Sequence, residues 1–171
     1  MAEAHGMKKV EIDKIVVNAG AGEVGNEVEK AVNLLEKLTG KQPVRTESEE
    51  RAKTFGLRGG LEIGAKVTLR GEEARDFLEK VFPAADNELD GDAFDGNGNF
   101  AFGISEYIDV PGVDYDSDIG MRGFEVVVNL ERPGYRTKKR DHKPSSIGKE
   151  HRVDDEDAKK FVEEELGAEV K

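Results

Sequence analysis

The stretch EIGAKVTLR at positions 62–70 decides the fold class. Ile63, Ala65, Val67 and Leu69 alternate with Lys66, Thr68 and Arg70. That period of two puts the apolar set on one side of a strand, and two cations with a hydroxyl on the other. Such a strand is half-buried, with one face on a core and the other free. The same period recurs at Phe100, Phe102, Ile104 and Ile108, and again at Phe124, Val126, Val128 and Leu130. Residues 10–18 are β-branched and run into a glycine cluster, which marks a further strand. Elsewhere the period lengthens. Val28, Ala31, Val32, Leu35 and Leu38 predict a helix over 26–38, with Asn26 as N-cap and Gly40 as stop. Ala74, Phe77, Leu78 and Val81 predict one over 72–82. Asp154 can cap a third from about 155 to 166, with Val153 and Ala158 at staple positions and Ala158, Phe161 and Val162 facing inward. Glu163, Glu164 and Glu165 oppose the dipole at its end and are left to solvent. Strands that alternate favour antiparallel pairing with one covered face. The reading is an α+β domain, a roughly five-stranded, mainly antiparallel sheet with helices packed on one face.

The whole chain of 171 residues is read as a single domain. It has no cysteine, which excludes a disulfide scaffold, a thiolate-held zinc and a thiol nucleophile. No apolar run approaches the roughly 18 residues of a membrane span. The start, MAEAHGMKKVEID, lacks the apolar core of a secretory signal, so the expected compartment is the cytoplasm. The net charge is −11, which taken alone argues against phosphate contacts. That charge is unevenly distributed. Residues 132–152 sum to +6, against −5 in the tail 153–171. This basic island holds Arg132, Tyr135, Arg136, Lys138, Lys139, Arg140, Lys143, Lys149, His151 and Arg152, and it has the composition of an extended arm that tracks phosphates. Having few apolar anchors, it is expected to order only on binding. A solvated loop is the plain alternative.

Two motifs imitate ligand sites. Gly20-Ala21-Gly22-Glu23-Val24-Gly25 is a literal G-x-G-x-x-G between a strand and a helix, with Glu47 downstream, the setting of a dinucleotide fingerprint. It keeps open a small NAD(P)-binding oxidoreductase. Against this, residues 39–45 form no buried second strand, and the alternating strands do not suit a parallel sheet. Asp95-Gly96-Asn97-Gly98-Asn99 with Glu106 resembles a calcium loop, but Phe100 stands where the sharp turn needs glycine. A Gly/Asn turn into a strand is the simpler reading. The three histidines, His5, His142 and His151, fall in no nucleophile or metal spacing. No catalytic residue, metal or cofactor is assigned. A protein-interaction module without a nucleic-acid role is the third alternative.

Several segments, taken together and in order, resemble the 5S-rRNA-binding large-subunit ribosomal protein family numbered five in the universal scheme. They are KIVVNAGAG (14–22), LEKLTGKQPVRT (35–46), RAKTFGLRGGLEIGAKVTLRG (51–71), FDGNGNFAFGISEYIDVPGVDYDSDIG (94–120) and ERPGYR (131–136). The basic segment with GKEHRV (148–153) is similar to the archaeal and eukaryotic branch. The resemblance spans about residues 10–166 and implies a noncatalytic ribosomal component with an antiparallel sheet covered on one side. It implies binding to 5S rRNA, attachment of that RNA to 23S-type rRNA in the central protuberance, contact with P-site tRNA, and contacts with a small-subunit head protein and neighbouring large-subunit proteins. Carried over by motif, the rRNA contacts fall on Lys14 and Asn18 in KIVVN, on the LTGKQP turn, and on Thr68 in KVTLR, with Lys66 and Arg70 on the face of Thr68. In the turn, Lys41 stands where many members carry glutamine and Gln42 follows, so the contact falls to one of these two. The stretch 51–64 resembles the tRNA-facing loop, with Arg51, Lys53, Thr54, Arg58 and Gly59 as its contacts. The family commonly has a glycine-rich turn at 20–25, which accounts for those glycines without a dinucleotide. An acidic remainder on an RNA binder leaves the acids to solvent or to other proteins.

Overall fold

The computed structural model describes residues 6–49, 58–167 and 169–170. In chain order its elements are β1 (Glu11–Gly20), α1 (Asn26–Thr39), β2 (Val44–Glu47), β3 (Glu62–Leu69), α2 (Glu72–Val81), β4 (Glu88–Leu89), β5 (Asn99–Ile104), β6 (Phe124–Glu131), α3 (Arg136–Lys139), α4 (Asp155–Phe161) and β7 (Glu169–Val170). Five strands form one antiparallel sheet in the order β2-β3-β1-β6-β5. This is the expected α+β class. The order also overturns the oxidoreductase alternative, because a doubly wound dinucleotide fold needs a parallel sheet. From Ile15 in β1, from Ala65 in β3 and along β6 every second side chain is buried, among them Ile15, Val17, Ala65, Val67, Val126 and Val128. The period read in EIGAKVTLR is therefore the pleat of β3.

The contacts divide the chain into two compact units. The first comprises Val16–Leu69 and Gly103–Val126. Here α1 packs on β3 through Val28, Ala31, Leu34, Leu35 and Leu38, all buried. Each of the valine and leucine side chains contributes about 1.5–3 kcal/mol relative to exposure. Leu34 takes a place in this stripe that the sequence reading gave to Val32, which lies half-buried at its margin. The helix start also differs. Gly25, at φ 90°, is the N-cap and offers no side-chain cap, while Asn26 is already the first helical residue. A positive φ swings the chain into the helix at the cost of a cap side chain. Gly40 ends the helix in the left-handed conformation, at φ 67°. β2 pairs with β3 with Val44 opposite Lys66 and Thr46 opposite Gly64. A Cβ at Gly64 would lie 2.7 Å from the Ala19 carbonyl oxygen, so only glycine fits this register.

The alternation expected to run from Phe100 to Ile108 stops at Ile104. Tyr107 opens a 3-10 turn, Tyr107–Asp109, and is fully buried instead of Ile108. Its backbone N–H donates to the Arg122 carbonyl at 3.1 Å, and its hydroxyl accepts from the Asp116 N–H at 2.7 Å. The following loop is thus tied down by one phenol, with Lys37 donating to the Asp114 carbonyl at 2.9 Å.

The second unit comprises Met1–Ile15, Arg70–Phe102 and Val127–Lys171. Its core holds Ala74, Phe77, Leu78 and Val81 of α2, Val128 and Leu130 of β6, and Ala158 and Phe161 of α4. Phe82 meets Phe102 edge to face at 5.5 Å. Asp154 caps α4 as expected: it accepts the Asp157 N–H at 2.9 Å, and Asp157 reciprocates to complete a capping box. That bond holds the Asp154 carboxyl below its ordinary pKa. The helix expected to run unbroken to about 166 changes at Val162 into a five-residue π-helix, which Gly167 ends. Of the glutamates left to solvent, Glu165 pairs with Arg75. β4 and β7 form a short parallel pair. The Asp95 carboxylate is used within its own turn, accepting from the Asn97 and Asn99 N–H groups at 2.9 and 3.0 Å, and β5 begins at Asn99. The Gly/Asn turn is the correct reading.

Candidate nucleic-acid interface

In the first unit, β3 supplies the clearest surface. Its buried residues Ala65, Val67 and Leu69 fix the strand, and the pleat turns Lys66 and Thr68 outward, where both are exposed. Among the described residues neither side chain has a partner. Asn18 of β1 is half-exposed and lines a shallow hollow of about 410 Å3 whose rim includes Gly20, Gly103 and Gly123. Gly20 and Gly103 leave bare, open backbone there, which lets another chain come close, whereas a Cβ at Gly123 would meet the Ile104 carbonyl oxygen at 2.6 Å.

In the LTGKQP turn, the Thr39 hydroxyl donates to the Leu35 carbonyl at 2.7 Å and accepts the Lys41 N–H at 3.3 Å. Lys41 is half-buried and has partners within the chain, whereas Gln42 is exposed. Arg51, Lys53 and Thr54 lie outside the described residues. Arg58 and Gly59 are exposed, beside backbone bonds that tie Ser48 to Leu61 and to Gly60, each at 2.8 Å.

In the second unit, the cations expected to bind RNA divide into two groups. The first group holds the protein together. Arg132 is only 12% exposed; it pairs with Asp157 at 2.7 Å and donates to the carbonyls of Lys8 at 3.1 Å and Arg152 at 3.0 Å. The Tyr135 hydroxyl accepts the Val153 N–H at 2.9 Å, and the His151 ring nitrogen meets the Pro133 carbonyl at 2.8 Å. Lys139 bridges Asp13 and Glu131, each at 2.7 Å, and Arg70 closes on the same Asp13 at 2.8 Å. Asp13 is only 9% exposed. Burial pushes its carboxyl up, but Lys139 and then Arg70 outweigh it and hold it below the ordinary value. Burial pushes the Lys139 ammonium down, and Asp13 and Glu131 outweigh that, holding it above its ordinary value. The second group is free to meet a ligand. Arg136, Lys138, Lys143 and Lys149 are exposed and have no side-chain partner among the described residues. Lys14 is half-exposed and likewise unpartnered. Arg140 and Arg152 each use only Nε, on the carbonyls of Lys143 and Ile147.

The basic island is thus not an extended arm here. It folds back through α3 and the Ser145 N–H bond to the Thr137 carbonyl at 3.1 Å. The sequence reading missed Asp13, Glu131 and Asp157 as partners of its cations. Their separations from them, such as the 126 residues between Asp13 and Lys139, leave no local signal.

Comparison with known proteins defines the class as ribosomal. A family model described as Ribosomal protein L5 matches residues 5–58, and a second model, for the C-terminus of the same ribosomal family, matches residues 62–163. The chain belongs to the ribosomal protein L5 family, a structural, non-enzymatic family of the large ribosomal subunit, and so works in the cytoplasm. It is 46% identical to the large ribosomal subunit protein uL5 of Nanoarchaeum equitans over 97% of this chain and 98% of that protein. It is 44% identical to that of Sulfolobus acidocaldarius over 96% of this chain and 92% of that protein. It is 42% identical to that of Cenarchaeum symbiosum over 96% of this chain and 97% of that protein. The archaeal resemblance of the 131–153 region agrees with these relatives. No described helix is long and apolar enough to cross a membrane.

Proposed function

We propose that within the large subunit this chain grips 5S rRNA and helps anchor it to 23S-type rRNA in the central protuberance. In the same reading it contacts P-site tRNA through the stretch 51–64, with Arg51, Lys53, Thr54, Arg58 and Gly59, and it meets a small-subunit head protein and neighbouring large-subunit proteins. It needs no cofactor for this. The observation that carries the reading is the outer face of β3, where Lys66 and Thr68 stand exposed on a rigid strand, without a partner among the described residues. A cation and a hydroxyl so placed suit a folded RNA backbone, whose phosphates and 2′-hydroxyls are read by shape. Gln42, exposed where Lys41 is engaged, takes the contact of the turn. The test is retention of the full chain on immobilised 5S rRNA at moderate salt. Wild type is retained, and Lys66→Ala with Thr68→Ala releases it at lower salt. A chain that passes through unretained overturns the proposal.

A further inference from the structure

The folded basic island lines a groove of about 610 Å3, together with Gly96, Asn97, Val153 and Asp154. That size suits a ligand of one nucleotide. Its lining combines two chemistries. The polar part comprises Lys138, Lys149 and Arg152 with the hydroxyl-bearing Ser145 and Ser146. Lys138 and Lys149 have no partner among the described residues, and Arg152 keeps both Nη groups free. The aromatic and apolar part comprises Tyr135, Pro144, Ile147 and Val153. Tyr135 is held in place, since its hydroxyl accepts from Val153 and its ring lies 6.2 Å from that of His151. The one acid lining the groove, Asp154, is engaged by the start of α4.

We propose that this groove receives a single unpaired nucleotide turned out of a folded RNA, a step that rests on the RNA-binding reading above. The phosphate sits among Lys138, Lys149 and Arg152, the ribose hydroxyls meet Ser145 and Ser146, and the base lies on Tyr135 and Ile147. A paired stretch could offer its phosphates, but its stacked bases would leave the apolar lining empty. An unpaired base can be splayed onto an aromatic ring.

The experiment is ultraviolet crosslinking of the full chain to deproteinised archaeal 5S and large-subunit rRNA. Crosslinked peptides are mapped by mass spectrometry and RNA positions by reverse-transcription stops. The expected result is a crosslink in a peptide carrying Tyr135 or Lys149, with its stop at an unpaired nucleotide. Ile147→Glu, which puts a charge in the apolar lining, and Lys149→Ala each lower that crosslink at least fivefold, while a crosslink in the peptide carrying Lys66 keeps its yield. Stops confined to paired nucleotides, or an unchanged yield in both variants, overturn the proposal. Crosslinks at the Lys66 peptide alone overturn the groove and leave the RNA reading standing, and no crosslink anywhere overturns both. A titration with AMP separates the sources of this chemistry. Binding in the millimolar range supports RNA as the ligand, and saturation of the groove in the micromolar range makes it a free-nucleotide site and overturns the RNA assignment.

Discussion

The outer face of β3 and the basic island of 132–152 both present cations, Lys66 on the strand and several lysines and arginines in the island, yet they come by their free cations differently. On β3 the strand is held by its neighbours' backbone and by the buried Ala65, Val67 and Leu69. Arg45 of β2 pairs with Glu62 at the start of the strand, and Lys66 takes no part in holding it among the described residues. The island has almost no apolar anchor. Its chain must be held by polar side chains, and Arg132, Tyr135, Lys139 and His151 are used for this. A loop that satisfies its own backbone this way has fewer cations to offer than its composition implies.

The sharpest way to break this contrast is to remove a holding cation. Arg132→Ala leaves Asp157 without its ion pair and the Lys8 and Arg152 carbonyls without a donor. Losing one partner of a mostly buried pair costs about 3 kcal/mol. A urea midpoint lowered accordingly is expected, whereas Arg136→Ala, on the same segment but exposed and without a side-chain partner among the described residues, changes stability by at most about 0.5 kcal/mol. Equal midpoints for the two variants would dissolve the distinction between holding and available cations.

In the first unit the corresponding test is Gly64→Ala. The added methyl must push against the Ala19 carbonyl, 2.7 Å away, which no rotamer relieves. A cost of about 1–3 kcal/mol is expected, at the scale of overpacking. An unchanged urea midpoint would mean that the strand register has more slack than the backbone contact allows.

The sequence foretold the β3 face better than the island for a physical reason. A period of two is a local property of a half-buried strand, so EIGAKVTLR alone assigns Lys66 and Thr68 to the outer side. The same logic overreached at Ile108, because a single buried phenol, Tyr107, ends the alternation through a contact with Asp116. It also misplaced the N-cap of α1, since backbone freedom at Gly25 competes with a cap at Asn26. In the island, composition shows that cations are present and cannot show which are taken. Arg132 and Arg136 look alike in sequence, and only the fold brings Asp157 to the first of them. The G-x-G-x-x-G was a true glycine turn with a false implication, settled by strand order alone.

A smaller effect separates the two regions by salt dependence. Lys66→Ala should leave stability unchanged and lower the slope of log K for 5S rRNA against log salt by roughly 0.7–0.9, the share of a single neutralised phosphate. Arg132→Ala, measured where it is still folded, should leave that slope alone. A slope that falls equally in both variants would place Arg132 on the RNA as well.

The smallest effect concerns Asp13, which joins Arg70 to Lys139. Its carboxyl lies below the ordinary 3.8 in the folded protein. The stability it contributes is therefore complete above that value and is lost as pH falls through the lower, folded one. Lys139 lies above its ordinary 10.5, so its share is complete below that value and is lost only as pH rises beyond it. At neutral pH both contributions are whole. Asp13→Asn removes the acid-side loss at this site and leaves Lys139 with Glu131 alone. Its stability curve, followed by urea unfolding, should fall less steeply than wild type on acidification below 3.8. It should also fall less steeply in strong alkali, because Lys139 then has less to lose. Parallel curves at both ends would show that the bridge holds the island by geometry and not by charge.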